Sequence, residues 1–153
     1  MTSYQIKKLI IEDYHKCSNI WEMEKNPKMT VAFYDELVSG NRITFIYLVN
    51  DEFVGEGSLV LQNNDPAYTI PGKRIYLSHM IVKEEYRNRG IGGIIADYLI
   101  DHAKKIGYAE VSLGVDTDNL NARHLYEKKG FTNILYHGED EYGEFVKLLK
   151  KLT

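Results

Sequence analysis

The chain has 153 residues, of which 44% are hydrophobic and 27% are charged, and its formal net charge at pH 7 is −3. These proportions exclude a disordered chain, and the length suits one domain spanning residues 1–153. The negative balance gives no basic footprint for nucleic acid, so no nucleic-acid partner is expected. Cys17 is the only cysteine, which excludes an intrachain disulfide, and no apolar run is long enough to predict a membrane partner. We therefore expect a cytoplasmic protein.

The first third of the chain predicts a strand, two helical segments and a hairpin. "SYQIKKLI" (residues 3–10) alternates as a strand does, and Glu12 opens a helical stretch. A second short helix is predicted over residues 30–38. "RITFIYLVN" and "EFVGEGSLVLQ" are predicted to be two strands joined by a tight turn at Asn50 and Asp51.

The rest of the chain predicts a strand–helix–strand crossover and a further helix before two final segments. "RIYLSHMIV" and "AEVSLGV" are predicted strands on either side of a helix over residues 90–106. The apolar stripe expected on that helix consists of Ile91, Ile94, Ile95, Tyr98, Leu99, His102 and Ile106. A helix over residues 120–129 is expected to end at Gly130. "FTNILYH" is a candidate strand, and "EFVKLLKKL" is compatible with either a strand or a helix.

This order of elements predicts the class of fold. Hairpins and a crossover in one chain indicate an α/β (α+β) domain with a mixed, mostly antiparallel sheet and helices on both faces. The two strands joined by the crossover helix are expected to be parallel and central.

The turn "EEYRNRGIGG" (residues 84–93) connects a strand to a helix and is rich in glycine. Free N–H groups and the positive end of the macrodipole make a helix start an anion site, and glycines let an anion approach closely. A tight corner with solvated arginines remains the alternative. The P-loop motif is absent from the sequence, and Ile95 stands where a dinucleotide fingerprint needs glycine or alanine.

Two motifs together resemble those of the GNAT-type N-acetyltransferase superfamily. "RNRGIG" (residues 87–92) matches the family signature R/Q-x-x-G-x-G/A, and "NLNARHLYEKKGF" (residues 119–131) resembles its second motif. The predicted order of elements is also similar to that of the family, so the resemblance covers the whole chain.

The resemblance implies acetyl-CoA as the cofactor, and it assigns two segments to binding it. The glycine-rich turn would hold the pyrophosphate of coenzyme A through Arg87, Asn88, Arg89, Gly90, Ile91, Gly92 and Gly93. The strand before the turn would pair with the pantetheine arm through Met80, Ile81 and Val82, where a fixed N–H would also stabilise a developing oxyanion. In such enzymes the two central parallel strands splay apart.

The second motif implies roles for two further residues. Asn119 matches an asparagine that contacts the cofactor arm, and its alternative role is to cap the helix that follows. Tyr126 matches a tyrosine near the thioester sulfur, where it would be the general acid. The alternative for Tyr126 is a core residue, since it shares a stripe with Ala122 and Leu125.

The general base is left open between two residues. Family enzymes often carry a carboxylate near the start of the fourth strand, but "RIYLSHM" has none. Glu56, between two glycines, and His79 are the candidates. The alternatives are a solvent-facing strand residue for Glu56 and a packed or exposed histidine for His79.

The acceptor is expected to be a small-molecule or peptide amine that takes the acetyl group directly. Cys17 lies on an apolar helix face and is expected in the core, which speaks against a covalent relay. Several acidic residues are expected to be solvated, and they would favour a cationic amine if they line the cleft: Glu22, Glu24, Asp116, Asp118, Glu139, Asp140 and Glu141. No metal is expected, and a homodimer is compatible with the family. The alternatives are a non-catalytic acyl-CoA-binding domain and a nucleotide-binding protein.

Overall fold

A computed structural model describes residues 1–152 of the chain. By its internal contacts the chain divides into two compact units. The first unit comprises residues 1–59 and 79–99, and the second comprises residues 60–78 and the chain from residue 100 onward. A single domain over residues 1–153 stays a prediction. Among the described residues, the helices are too short or too polar to cross a membrane.

The helices and strands agree closely with the predicted order. Within residues 1–152 the strands are β1 Tyr4–Lys8, β2 Arg42–Val49, β3 Glu52–Val60, β4 Arg74–Val82, β5 Glu110–Asp116, β6 Asn133–Asp140 and β7 Gly143–Lys151. The α-helices are α1 Pro27–Ser39, α2 Ile91–Lys105 and α3 Leu120–Lys128, and 3₁₀ helices span Ile11–Asn19 and Glu84–Tyr86.

The strands form one sheet in the order β1-β2-β3-β4-β5-β7-β6. β1 pairs antiparallel with β2, and β7 pairs antiparallel with both β5 and β6. β4 and β5 are parallel, and their register joins Arg74–Tyr76 to Glu110–Ser112. The mixed, mostly antiparallel sheet with a central parallel pair is therefore confirmed.

In the first unit, helical segments cover both faces of β3. On one face, Glu56 contacts Trp21, which follows the 3₁₀ helix Ile11–Asn19. On the other face, a Cβ atom added at Gly57 would lie 2.8 Å from Cδ1 of Leu99 in α2. Because successive strand residues point to opposite faces, the glycine lets α2 pack closely while Glu56 faces the other layer.

The hairpin between β2 and β3 turns at the predicted dipeptide. Asn50 and Asp51 have φ angles of 49° and 67°, which is the left-handed pair that a two-residue type I′ turn requires. This turn fixes the register of β3 and therefore the face on which Glu56 lies.

In the second unit, two predictions from turn chemistry and pattern are settled. Gly130 follows the C-cap of α3 with φ 97°, so it ends the helix as expected. "EFVKLLKKL" forms β7 rather than a helix, and its buried residues Val146, Leu148 and Leu149 pair with residues of β5 and β6.

The apolar stripe predicted for α2 is only half right. Ile91, Ile95 and Leu99 are buried, as are Ala96 and Ala103. Three large residues of the predicted stripe are instead exposed, at 41–47% of their surface: Ile94, Tyr98 and Ile106. At the helical period both i+3 and i+4 neighbours fit a stripe, and here the small alanines take the places assigned to larger side chains.

Three details of the helices also differ from the prediction. The first helical stretch is a 3₁₀ helix that ends at Asn19, so Ile20 and Trp21 lie beyond it. α1 begins at Pro27 and not at residue 30, because proline suits the first helical position, where no N–H partner is needed. The short 3₁₀ helix Glu84–Tyr86 was not predicted.

Candidate active site

Glu56 is a carboxyl group buried in the first unit. Only 3% of the residue is exposed, so the alternative of a solvent-facing strand residue is wrong. The indole Nε1–H of Trp21 donates a hydrogen bond of 2.8 Å to its Oε1. The thiol of Cys17 also hydrogen-bonds the Glu56 carboxyl. A buried carboxyl group is thus held by two donors from the neighbouring layer.

Burial raises the pKa of Glu56 to about 7. The hydrogen bonds from Trp21 and Cys17 and the positive charge of Arg42 oppose this rise, since all three favour the ionised form. A carboxyl group in this environment exchanges its proton near neutral pH, which is the range that a general base needs.

Cys17 and Tyr14 complete the buried surroundings of Glu56. Cys17 is fully buried in the hydrophobic core, as expected, and burial raises the pKa of its thiol above the ordinary value. Burial also raises the pKa of Tyr14, whose hydroxyl donates to the carbonyl oxygen of Thr30 at 2.8 Å. Both groups therefore stay protonated at neutral pH.

His79 lies in β4 with an unusual backbone. Its φ angle is 54°, a left-handed conformation that is strained for a residue with a side chain. The imidazole packs edge-on against Trp21 and Phe33, with ring centroids 4.8 Å and 5.1 Å away. Within residues 1–152 its Nε2 is buried without a hydrogen-bond partner.

Burial, with a smaller effect from Arg42, lowers the pKa of His79 to about 4. The imidazole is therefore neutral at pH 7 and holds a proton less well than Glu56 does. Of the two candidate bases, the environment favours Glu56.

A cavity of about 560 Å³ opens beside these residues in the first unit. Trp21 and His79 line it, together with the apolar side chains of Ile20, Met29 and Ile81. Charged residues of both signs also line it: Glu22, Lys83, Glu84, Glu85 and Arg87. The cavity therefore combines an apolar wall with charged groups, as small-molecule sites do.

The glycine-rich turn has the backbone of an anion site. Asn88 and Gly90 have φ angles of 64° and 80°, and a Cβ at Gly90 would meet no atom within 4 Å. The N–H of Ile94 donates to the carbonyl of Gly90 at 3.1 Å, which marks the start of α2. The N–H groups of residues 91–93 consequently precede the first helical hydrogen bond and suit an anion such as a phosphate group.

The two arginines of the turn are exposed and differ in their contacts. Nε of Arg87 donates to the carbonyl oxygen of Val82 at 2.8 Å, which ties the turn to the end of β4. The guanidinium of Arg89 lies 5.1 Å from the ring centre of Tyr86. Both leave charge at the start of α2, where it adds to the macrodipole.

The residues predicted to hold the cofactor arm, Met80, Ile81 and Val82, form the end of β4. They are half-buried, and the strand is anchored just beyond them, where the N–H of Lys83 donates to the carbonyl of Val54 at 2.8 Å. The parallel register of β4 with β5 covers Arg74–Tyr76 at the other end of the strand.

In the second unit, Asn119 caps α3. Its Oδ1 accepts a hydrogen bond of 3.2 Å from the N–H of Ala122, so the capping role expected as an alternative is present. Tyr126 is 8% exposed and packs edge-on against Phe131. Burial, with a smaller effect from Tyr76, raises the pKa of Tyr126 to about 12.

The structure brings together one group of predicted residues more closely than the sequence indicated. Glu56 and His79 both contact Trp21. Arg42 was not among the predicted site residues. Its guanidinium carbon lies 3.7 Å from the ring centre of Phe33, and its Nε donates to Glu36. An arginine at the start of a strongly apolar strand and the chain's single tryptophan were the available signals. The seven acidic residues expected to be solvated are all exposed.

The profile of the "Acetyltransferase (GNAT) family" matches residues 4–131 of the chain. The chain belongs to the GNAT acetyltransferase family. Human N-acetyltransferase 8 is 37% identical over 68 residues, a match that covers 44% of this chain. The chain spans 29% of the length of that relative.

Solved GNAT structures share the fold along almost the whole chain. An aminoglycoside 6'-acetyltransferase of type Ii superposes with a TM-score of 0.77 at 19% identity, and the match covers 97% of both chains. The Salmonella typhimurium acetyltransferase yncA, solved with its cofactor acetyl-CoA, gives a TM-score of 0.72 at 15% identity, covering 99% of this chain and 95% of that one. At these identities the likeness shows the fold.

Proposed function

We propose that this GNAT protein is an acetyl-CoA-dependent N-acetyltransferase that acts on a primary amine, with Glu56 as the general base. The observation that carries the proposal is the environment of Glu56, a buried carboxyl group whose pKa is raised to about 7 beside an apolar cavity. A protein that only bound an acyl-CoA would not need a proton acceptor tuned in this way.

The raised pKa makes Glu56 a better base for an alkyl ammonium group. Moving a proton from an amine of pKa about 10.4 to an ordinary carboxylate of pKa about 4.5 costs about 8 kcal/mol. The cost falls to roughly 5 kcal/mol when the carboxyl pKa is about 7. For His79, with a pKa of about 4, the cost is near 9 kcal/mol.

The proton reaches Glu56 through an intervening water molecule in this proposal. Trp21 and His79 line the cavity, whereas Glu56 lies behind them and is 3% exposed. A water between the amine and the carboxyl group transfers the proton without requiring direct contact.

The residues proposed to bind acetyl-CoA lie in the glycine-rich turn and at the end of β4. The N–H groups of residues 91–93 and the charges of Arg87 and Arg89 would hold the pyrophosphate, and backbone groups of Met80–Val82 would hold the arm. When bound, acetyl-CoA supplies an activated acetyl group. The N–H groups near Ile81 and Val82 would stabilise negative charge that develops on its carbonyl oxygen.

Tyr126 would assist by donating a hydrogen bond rather than by giving up its proton outright. A full transfer from a phenol of pKa about 12 to a sulfur with a pKa near 8.5 costs about 5 kcal/mol. A donated hydrogen bond stabilises charge on sulfur without that cost. Asn119 would contact the cofactor arm in addition to capping α3.

The acceptor that fits best is a cationic primary amine on an apolar group. Met29 and the indole of Trp21 form an apolar wall, and the carboxylates of Glu22, Glu84 and Glu85 line the same cavity. Lys83 is paired with Glu52 at 2.9 Å, which reduces the positive charge offered to a ligand.

An assay of thiol release from acetyl-CoA over a panel of primary amines tests the proposal. We expect release that depends on the amine, with alkyl and aralkyl amines preferred over anionic ones. Tight binding of acetyl-CoA without release for any amine would instead indicate an acyl-CoA-binding domain. If acetyl-CoA protects the protein against melting less than ATP or NAD does, the cofactor assignment is wrong.

A further inference from the structure

Trp21 contacts both the buried carboxyl group and the cavity. Its indole Nε1–H donates to Oε1 of Glu56 at 2.8 Å, and the same residue lines the cavity. It is the only tryptophan in the chain. One side chain therefore separates the proposed base from the proposed acceptor and touches both.

The orientation of the indole is fixed by its neighbours. Trp21 is 7% exposed, and its backbone N–H donates to the carbonyl of Cys17 at 3.2 Å. Phe33 packs edge-on against the ring at a centroid distance of 6.0 Å, and His79 does so at 4.8 Å. Because the ring is packed between these neighbours, its N–H points in one direction only.

The chemistry of an indole makes this contact directional. The indole N–H is a hydrogen-bond donor and cannot act as an acceptor. It therefore does not compete for the proton that a base must take. Oε1 keeps a lone pair after accepting this bond, and the Cys17 thiol also donates to the carboxyl group. The indole N–H therefore fixes the orientation of the carboxyl group and leaves it able to receive a proton.

We infer that Trp21 is a positioning residue, whose indole N–H holds Oε1 of Glu56 and fixes the orientation in which the carboxyl group receives the acceptor's proton. The catalytic meaning of this inference rests on the proposed function. The hydrogen bond itself is measurable in the protein without any substrate.

Four other titratable side chains face Trp21 and Glu56, and none of them titrates between pH 5.5 and 9. Tyr14 and Cys17 come from the 3₁₀ layer, and burial raises the pKa of each above its ordinary value. Arg42 comes from β2 and stays charged. His79 comes from β4, and burial lowers its pKa to about 4.

The first experiment follows the single indole N–H resonance of the ¹⁵N-labelled protein from pH 5.5 to 9. We expect it to shift with a midpoint near pH 7, as Glu56 ionises, and to lose this titration in Glu56→Gln. A resonance that does not move overturns the inference. So does one that moves equally in Glu56→Gln, because it would then report another group.

The second experiment uses Trp21→Phe, which keeps an aromatic ring and removes the N–H. Loss of a donor to a carboxylate should raise the Glu56 midpoint, followed by the ¹³C signal of its carboxyl group, by about one pH unit. The matched control is Met23→Leu, which alters the same hydrophobic cluster and leaves Trp21, Phe33 and Arg42 unchanged, so its midpoint should stay within a few tenths of a unit. An unshifted midpoint in Trp21→Phe overturns the inference.

Activity separates this inference from the proposed function. In Trp21→Phe the acid limb of kcat/KM should move by the same one pH unit as the carboxyl midpoint, whereas simple loss of folded protein would lower kcat/KM equally at every pH. If no amine releases thiol but the carboxyl midpoint still shifts, the proposed function fails and the hydrogen bond stands. If thiol is released normally and the midpoint is unmoved, the inference fails alone.

Discussion

At the scale of single residues, Glu56 and His79 carry opposite pKa shifts from the same physical cause. Burial penalises the charged form of each group, so it raises the pKa of the carboxyl group to about 7 and lowers that of the imidazole to about 4. Both side chains are therefore neutral at about pH 5 to 6. Above pH 7 only the carboxyl group has become charged, which leaves it ready to accept a proton.

The stability of the protein should record the shift of Glu56. Its pKa in the folded state, about 7, lies above the ordinary value of 4.5, so the folded state binds more protons between these values. Its contribution to stability is fully present below pH 4.5 and is lost as pH rises through 7, a change of about 3 kcal/mol.

The measurement is the free energy of unfolding by urea at pH 4.5 to 8, taken as the difference between wild type and Glu56→Gln. The difference is needed because His79 acts in the opposite sense, with stability present above pH 6.5 and lost as pH falls through 4. The control is Glu52→Gln, which exchanges another carboxyl group on the same strand. Hydrogen bonds from Asn19 and Lys83 lower the pKa of Glu52, so this variant should show no loss of stability of this kind as pH rises. A flat difference for Glu56→Gln would contradict the shift.

Tyr126→Phe tests the hydrogen bond proposed toward sulfur. The phenyl ring keeps the packing on Phe131, so affinity for acetyl-CoA should stay within about twofold of wild type. Loss of the donor should lower kcat by about 10- to 100-fold, since hydrogen bonds to charge are worth about 1.5–3 kcal/mol. Calorimetric titration and steady-state kinetics give the two values, and normal turnover would remove Tyr126 from the mechanism.

At the scale of elements, the glycine-rich turn and the start of α2 form the proposed binding site for the pyrophosphate of acetyl-CoA. Gly92→Glu places a carboxylate beside the free N–H groups at the start of α2, where it would occupy and repel the site of a phosphate. We expect affinity for acetyl-CoA to fall at least 100-fold in calorimetry. Ile106→Glu adds the same charge at an exposed position beyond the other end of the helix and should bind normally. Equal affinity in both variants would locate the pyrophosphate elsewhere.

The cap of α3 allows its structural and binding roles to be separated. Asn119→Ala should lose about 1 kcal/mol of stability with the hydrogen bond to Ala122. Asn119→Asp keeps a capping oxygen and removes the amide donor, so it should melt like wild type. If Asn119 also contacts acetyl-CoA, the aspartate variant will bind it more weakly, and unchanged binding would leave Asn119 with the cap alone.

Elements were predictable where local chemistry decides them. The Asn50–Asp51 turn, the Gly130 helix end and β4 follow from residue types whose backbone preferences are strong. The buried face of α2 was not predictable from the sequence, because the choice between Ile94 and Ala96 depends on the sheet against which the helix packs. The 3₁₀ geometry before Trp21 likewise depends on tertiary packing.

At the scale of the whole molecule, the motifs predicted the family and the order of the sheet, whereas the surroundings of the proposed base had to come from the structure. A glutamate between two glycines on a strand is equally compatible with solvent, and only the packing of Trp21 and Cys17 over it shows burial. Contacts between residues 35 positions apart leave no local pattern in the sequence. The homodimer stays a prediction.

The measurement that tests the central claim most directly is the pH dependence of kcat/KM for thiol release with the best amine of the panel. If Glu56 takes the proton of a bound ammonium group, kcat/KM for wild type and Glu52→Gln should rise with a midpoint near pH 7 and then stay level up to the pKa of the amine. Glu56→Gln should lose about 10²- to 10⁴-fold at pH 7 and rise only toward the amine's own pKa, about 10.4. A Glu56→Gln profile that keeps the midpoint near pH 7, with normal turnover, would contradict the assignment of Glu56 as the base.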